Sequence, residues 1–343
     1  MRVIRRSLVG VMALALLAGS SVGVEAQSEA VSRPPMPSAG CGSSEVVPGD
    51  TDDSMESAGL EREWLLHVPP AHDGETPLPL VIQLHGYGMR GSEMDGTRLE
   101  PFGDQMGFAT VTPEGRGRIP RWVFELDDRG WDVVPSNPDV VFIGALIDRL
   151  GEELCLDLAR VFATGVSNGA QAANALACTT GDRIAAIAPV AGIIDFGDRC
   201  STGRPVPVIA FHGTADPLLL FDGGVGAVTE TFPTDTGESF AELPSTQDPA
   251  LTVPIPERAA GIARRYGCEP EPGATMIATA VERIEYSCPA DADVMLILAH
   301  GAGHVWPGDT LTPSQEAFQG PGTIEIDAAE MMWEFFEQHP MPE

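Results

Sequence analysis

Gly165-Val166-Ser167-Asn168-Gly169 lies between Arg160-Val161-Phe162-Ala163-Thr164, which reads as a buried strand, and Ala170-Gln171-Ala172-Ala173-Asn174-Ala175-Leu176-Ala177, which reads as a closely packed helix. A G-x-S-x-G pentapeptide at a strand-to-helix turn is a nucleophile elbow. Its glycines let backbone cross backbone, and its serine is held strained and exposed. The hydroxyl then stands above the sheet at a helix N-terminus, whose dipole favours developing negative charge. Taken alone the pentapeptide is common; the flanking strand and helix give it meaning.

Outward from the elbow, strand and helix patterns alternate. Strands are expected at 64–68, 78–84, 108–111, 184–190, 206–211 and 294–298, with a hairpin over 276–286. Helices are expected at 98–106, 140–154, 256–266 and 324–338; Val140, Phe142, Ile143, Leu146, Ile147, Leu150 and Leu154 follow the helical period. Repeated βα units imply a mostly parallel central sheet with helices on both faces, an α/β-hydrolase architecture. In such sheets functional groups collect at the C-terminal ends of the strands.

A serine hydroxyl is a weak nucleophile until a positioned base takes its proton, and in this architecture acid and histidine follow the serine in that order. His67, His72, His85, His212 and His339 lie in strands, before the elbow or at the chain end. His300 and His304 remain, in Ala299-His300-Gly301-Ala302-Gly303-His304-Val305-Trp306-Pro307-Gly308. His304 is the expected base, since it lies beyond the glycines and beside Trp306-Pro307; His300 ends the strand and is expected to pack there. The acid is Asp216 in His212-Gly213-Thr214-Ala215-Asp216-Pro217, with Asp222 the second choice. The oxyanion hole is expected from the amides of Asn168, after the nucleophile, and Tyr87, in Leu84-His85-Gly86-Tyr87-Gly88. Trp122, Trp131 and Trp306 lie near strand ends and are candidate substrate-binding aromatics.

Met1-Arg2-Val3-Ile4-Arg5-Arg6, an apolar stretch over 8–17 and Val24-Glu25-Ala26 read as a signal peptide over 1–26 cleaved after Ala26. Residues 27–60 read as a mobile leader, 61–343 as the catalytic domain, and about 223–252 as a surface insertion over the site. A formal charge of −30 opposes nucleic acid and anionic membrane surfaces as partners. Asp50-Thr51-Asp52-Asp53 lacks the spacing of a calcium loop, and neither metal nor cofactor is expected. Six cysteines in an exported chain imply disulfides. Placing each cysteine at a sheet edge gives the expected pairs Cys155–Cys178, Cys41–Cys200 and Cys268–Cys288.

The chain resembles the secreted esterases grouped around polyhydroxybutyrate depolymerases and the feruloyl and acetylxylan esterases of carbohydrate esterase family one. Pro79-Leu80-Val81-Ile82-Gln83-Leu84-His85-Gly86-Tyr87-Gly88, Ser167-Asn168-Gly169-Ala170, His212-Gly213-Thr214-Ala215-Asp216-Pro217 and Gly303-His304-Val305-Trp306-Pro307-Gly308 carry the likeness. It implies a triad of Ser167, Asp216 and His304, and a carboxylic-ester substrate drawn from a plant polysaccharide or, alternatively, a polyhydroxyalkanoate. Acyl transfer, peptide cleavage and a catalytically silent binding protein are the rival readings.

Overall fold

The computed structural model describes residues 33–42, 47–123, 133–201, 203–234, 237, 240 and 248–342. Within these, β1 (Gly49–Ser57), β2 (Leu60–Val68), β3 (Leu78–Leu84), β4 (Ala109–Pro113), β5 (Leu156–Val166), β6 (Ile187–Val190), β7 (Val208–Gly213), β8 (Gly273–Ala278), β9 (Val281–Tyr286) and β10 (Val294–Ala299) form one sheet. The strand order is β1-β2-β4-β3-β5-β6-β7-β10-β9-β8. The run from β4 to β10 is parallel, and an antiparallel pair closes each edge.

The central strands are apolar on both faces because helices cover both. Successive side chains of a strand point to opposite sides. Leu80, Ile82, Val161 and Ala163 accordingly join one core with Phe142 and Leu146 of α2 (Pro138–Glu153) and Ile262 of α5 (Ile255–Tyr266). Val81 and Phe162 join the other, with Leu99 of α1 (Leu99–Met106) and Trp333 and Phe336 of α7 (Ala328–Gln338). Helix starts follow side-chain chemistry: Asn137 caps α2 by accepting from the Asp139 amide at 2.9 Å, with Pro138 at the first helical position. Asp327 caps α7 in the same way, from Ala329 N.

Between these lie α3 (Asn168–Thr179), which leaves the elbow, and α4 (Pro249–Thr252) and α6 (Pro313–Gln319), two short helices that the sequence pattern does not announce. The expected leader is another difference. Residues 49–57 pair with β2 along their whole length, and Pro37 bridges Asp157 at the start of β5. Acidic, polar β1 shows no core periodicity because it is an edge strand with most of its side chains in water.

That N-terminal contact also corrects two disulfides. The bonds are Cys41–Cys155, Cys178–Cys200 and Cys268–Cys288, of which only the last matches the expectation. Ser38 N donates to Leu156 O at 2.9 Å and Gly40 N to Gly151 O at 2.8 Å, which lays Cys41 beside Cys155. Cys178 ends α3 where Ser201 N donates to its carbonyl, so Cys200 is its neighbour.

Candidate active site

Ser167 has φ 57° and ψ −119°, a left-handed conformation that a side chain adopts at a cost. The crossing of β3, β5 and α3 enforces it. A Cβ on Gly165 would lie 2.5 Å from Leu84 O, and one on Gly169 would lie 2.0 Å from the same oxygen. Only glycine lets helix and strand approach so closely. Gly192 closes the third side, where a Cβ would meet Ser167 O at 2.4 Å, and Ser167 N donates to Val190 O at 2.9 Å.

His304 and Asp216 meet from the loops after β10 and β7. His304 Nδ1 donates to Asp216 Oδ2 at 2.7 Å, and both side chains are buried. Asp216 Oδ1 accepts from the amides of Leu218 and Leu219 at 2.8 and 2.9 Å. Burial pushes this carboxyl up, but His304, His212 and the amides outweigh it, so its pKa stands below the ordinary value. With Nδ1 carrying the proton, Nε2 of a neutral His304 is an acceptor. That atom is buried with no hydrogen-bond partner among the described residues, and His304 and Ser167 line the same cavity.

His212 approaches Asp216 from the other side, 3.4 Å from Oδ2. Its Nε2 is bonded to Leu219 O at 3.0 Å, and burial drives its pKa down to about 4, so it stays neutral at ordinary pH. One carboxylate thus faces two histidines, of which His212 resists protonation. His300 is exposed and pairs with Glu282, and Asp222 is an exposed turn residue.

The loop after β3 is held by a histidine that sequence reasoning passed over. His85 Nδ1 donates to Gly86 O at 2.8 Å, its Nε2 accepts from Gly115 N at 2.8 Å, and its carbonyl accepts from Trp122 Nε1 at 3.0 Å. Burial lowers its pKa and keeps the ring neutral, as these two bonds require. The peptide bond is trans, so a Gly86 carbonyl turned to the ring turns the Tyr87 N–H the opposite way. Asn168 starts α3, where the first amides have no partner within the helix. Its side chain is tied to Trp122, accepting from the Trp122 amide at 2.8 Å and donating to its carbonyl at 3.1 Å.

Of the expected substrate-binding tryptophans, Trp306 lines the cavity. Trp122 is buried and braces the loop behind the site instead of offering a platform. Trp131 lies outside the described residues. The cavity, about 180 Å³, is walled by the ring of Tyr87 and by residues that the sequence left unnoticed: Leu218, Phe232, Leu311 and Phe318. Tyr87 stacks on Phe232 with centroids 5.9 Å apart and donates its hydroxyl to Pro233 O at 2.7 Å; Phe232 in turn stacks on Phe318 at 5.8 Å. The short turn at Ala227–Thr231, inside the expected insertion, carries Phe232 to this wall. Buried Arg258 holds the insertion's far end, donating to Leu251 O, Val253 O and Ile193 O at 2.7–3.0 Å.

Among the described residues, Asp50 on β1, His67 on β2 and Glu100 on α1 have metal-ligand spacing, and none of the three lines the cavity. No described helix is long and apolar enough to cross a membrane.

A nucleophile elbow on β5, an acid after β7 and a histidine after β10 define an α/β-hydrolase. The chain belongs to the esterase PHB depolymerase family, which it matches over residues 63–235, and is an esterase. It is 32% identical over 292 residues to a Nocardia uniformis protein named as an esterase, NocK, covering 81% of this chain and 80% of that one. Feruloyl esterase C of Emericella nidulans is 31% identical over 194 residues, 52% of this chain and 65% of the fungal one. Feruloyl esterase B of Piromyces equi is 28% identical, and the match spans 82% of this chain but 46% of that protein. An acetyl xylan esterase from Aspergillus awamori shares the fold at 14% identity, with a TM-score of 0.54 over 83% of this chain and 98% of that one.

Proposed function

We propose that Ser167, His304 and Asp216 form the catalytic triad of an exported esterase that works through an acyl-enzyme. One observation carries the reading: the 2.7 Å bond of His304 to Asp216 opens on the cavity that also holds the strained Ser167. Ser167 Oγ attacks the ester carbonyl while His304 Nε2 takes its proton. The amides of Asn168 and Tyr87 hold the oxyanion, and the His85 bond to Gly86 O supports that orientation of Tyr87. His304 then returns the proton to the departing alkoxide, and water repeats the cycle on the acyl-enzyme. Asp216 fixes the tautomer and stabilises the imidazolium.

Feruloyl or related plant-polysaccharide esters are the first substrate class, on the strength of the aromatic wall around Tyr87, Phe232 and Trp306. The family match to PHB depolymerases supports a polyester as the second. A signal peptide over 1–26 with cleavage after Ala26, followed by a catalytic domain that includes β1 and the Cys41–Cys155 bond, completes the reading. Three disulfides accord with an oxidising compartment. Methyl ferulate, a hydroxybutyrate oligomer and a peptide anilide, assayed in parallel, test it. Turnover of the first and loss of that turnover in Ser167→Ala are expected; cleavage of the anilide alone would refute it.

A further inference from the structure

Among the described residues, the cavity of Ser167 and His304 is lined by two carboxylates, Glu93 and Asp309, and by no arginine. Asp309 is half-buried against backbone: a Cβ on Gly96 would lie 2.7 Å from its Oδ2. It makes no ion pair with any described residue. Glu93 is exposed at the rim and accepts from the amide of Arg90 at 2.8 Å, a bond that leaves its charge uncancelled. The surroundings include Met89, Leu218, Leu311 and Phe318, apolar side chains that offer no counter-charge. The whole chain carries a formal charge of −30, so the field around the cavity is negative on balance.

Two like charges in such a lining repel a third. We propose that Glu93 and Asp309 make the cavity a charge filter: neutral and cationic esters enter, anionic esters are rejected, and the carboxylate product is driven out. The inference rests on the reading of Ser167 as the nucleophile. The chemistry supplies the asymmetry. Water replaces the alkoxide on the acyl carbon, the alcohol leaves with one proton, and the acid loses another to solvent at neutral pH. A neutral ester therefore becomes an anion inside a negatively charged pocket. The filter is a specificity device carried by two residues that touch none of the triad.

The test compares 4-nitrophenyl hexanoate with the mono-4-nitrophenyl ester of adipic acid, whose acyl chain has the same length and ends in a carboxylate. For each, kcat/KM is divided by the uncatalysed rate, at about 20 mM and about 500 mM salt. The wild-type enzyme should prefer the neutral ester by about tenfold or more at low salt, and added salt should shrink that preference. Asp309→Asn should narrow it about threefold, and Glu93→Gln with Asp309→Asn should nearly abolish both it and its salt response. Because each variant is scored by the ratio of two substrates, a general loss of turnover does not blur the result. A wild-type preference indifferent to salt, or one unchanged in the double variant, overturns the filter. Ser167→Ala separates the two ideas: turnover surviving there refutes the nucleophile, while its loss leaves that reading intact whatever the ratios show.

Discussion

Ser167 follows β5 directly, Asp216 lies three residues beyond β7, and His304 five beyond β10; the parallel strands themselves aim this proposed catalytic floor of the cavity. Phe232 and Phe318 stand instead on a short turn and a short helix, Ala227–Thr231 and Pro313–Gln319, that meet over the site through ring contacts. The floor is fixed by backbone collisions that admit only glycine and by bonds to buried carboxylate and amides. The wall is fixed by stacking and by one phenol hydroxyl on Pro233. The proposed triad therefore places chemistry on the stiff part of the molecule and choice of substrate on the adaptable part, where side chains can change without moving the reacting atoms.

The sharpest way to break this division is to remove a floor group. Ser167→Ala and Asp216→Asn should each lower kcat by about 10⁴-fold or more on a neutral 4-nitrophenyl ester, with the circular dichroism spectrum unchanged. A loss of tenfold or less in either would dismantle the triad. One step out from the reacting atoms, His85→Leu deletes the bond that turns the Gly86 carbonyl aside. It should lower kcat about 10²-fold with little change in KM, the cost of one oxyanion donor. His85→Asn, whose amide can still donate to that carbonyl, should recover a substantial part. Equal damage in the two variants would mean that the ring only fills space.

The same division explains what could be read from the residues alone. Gly165, Ser167 and Gly169 announce themselves because a backbone crossing where an added Cβ would lie 2.0–2.5 Å from Leu84 O tolerates few sequences. The runs of β3 and β10 and the centre of β5 are largely hydrophobic because both faces are covered. The floor was legible for that reason. Phe232 and Phe318 carry no such signal: one aromatic on an irregular segment resembles any other until tertiary contacts bring it to a site. Trp122 shows the reverse error, since a tryptophan near a strand end looked like a platform and turned out to brace the loop. Disulfide partners were missed where a non-local contact decided them, as the packing of residues 36–40 against the start of β5 does for Cys41.

Tyr87 joins floor and wall, with its amide in one and its ring in the other. Tyr87→Phe keeps the stacking on Phe232 and the edge contact with Phe240 at 4.9 Å but drops the hydroxyl bond to Pro233. A single such bond contributes about 1 kcal/mol. KM for an aryl ester should rise about three- to fivefold and kcat should fall by less. A loss falling mainly on kcat would show that the wall also sets the oxyanion amide, and the two regions would no longer be separable.

The smallest effect is expected at neither region but at the far edge of the sheet. His67 on β2 bonds Asp50 on β1 at 2.5 Å and Asp104 on α1 at 2.9 Å, stapling the edge strand to a helix. Burial pushes the imidazole down, but the two carboxylates outweigh it, and its pKa is raised above the ordinary 6.5. The folded state then holds the proton more tightly than the unfolded chain. The stabilisation is complete below the unfolded value and is lost as pH rises through the raised native one. Exposed pairs of this kind contribute up to about 1 kcal/mol, so Tm should fall by about 2–4 °C across that interval. His67→Gln should remove this part of the pH dependence while kcat/KM on a neutral ester stays at the wild-type value. An identical Tm–pH curve in the two proteins would show that the staple adds nothing. A matching fall in turnover would tie the edge of the sheet to the catalytic floor, against the division between them.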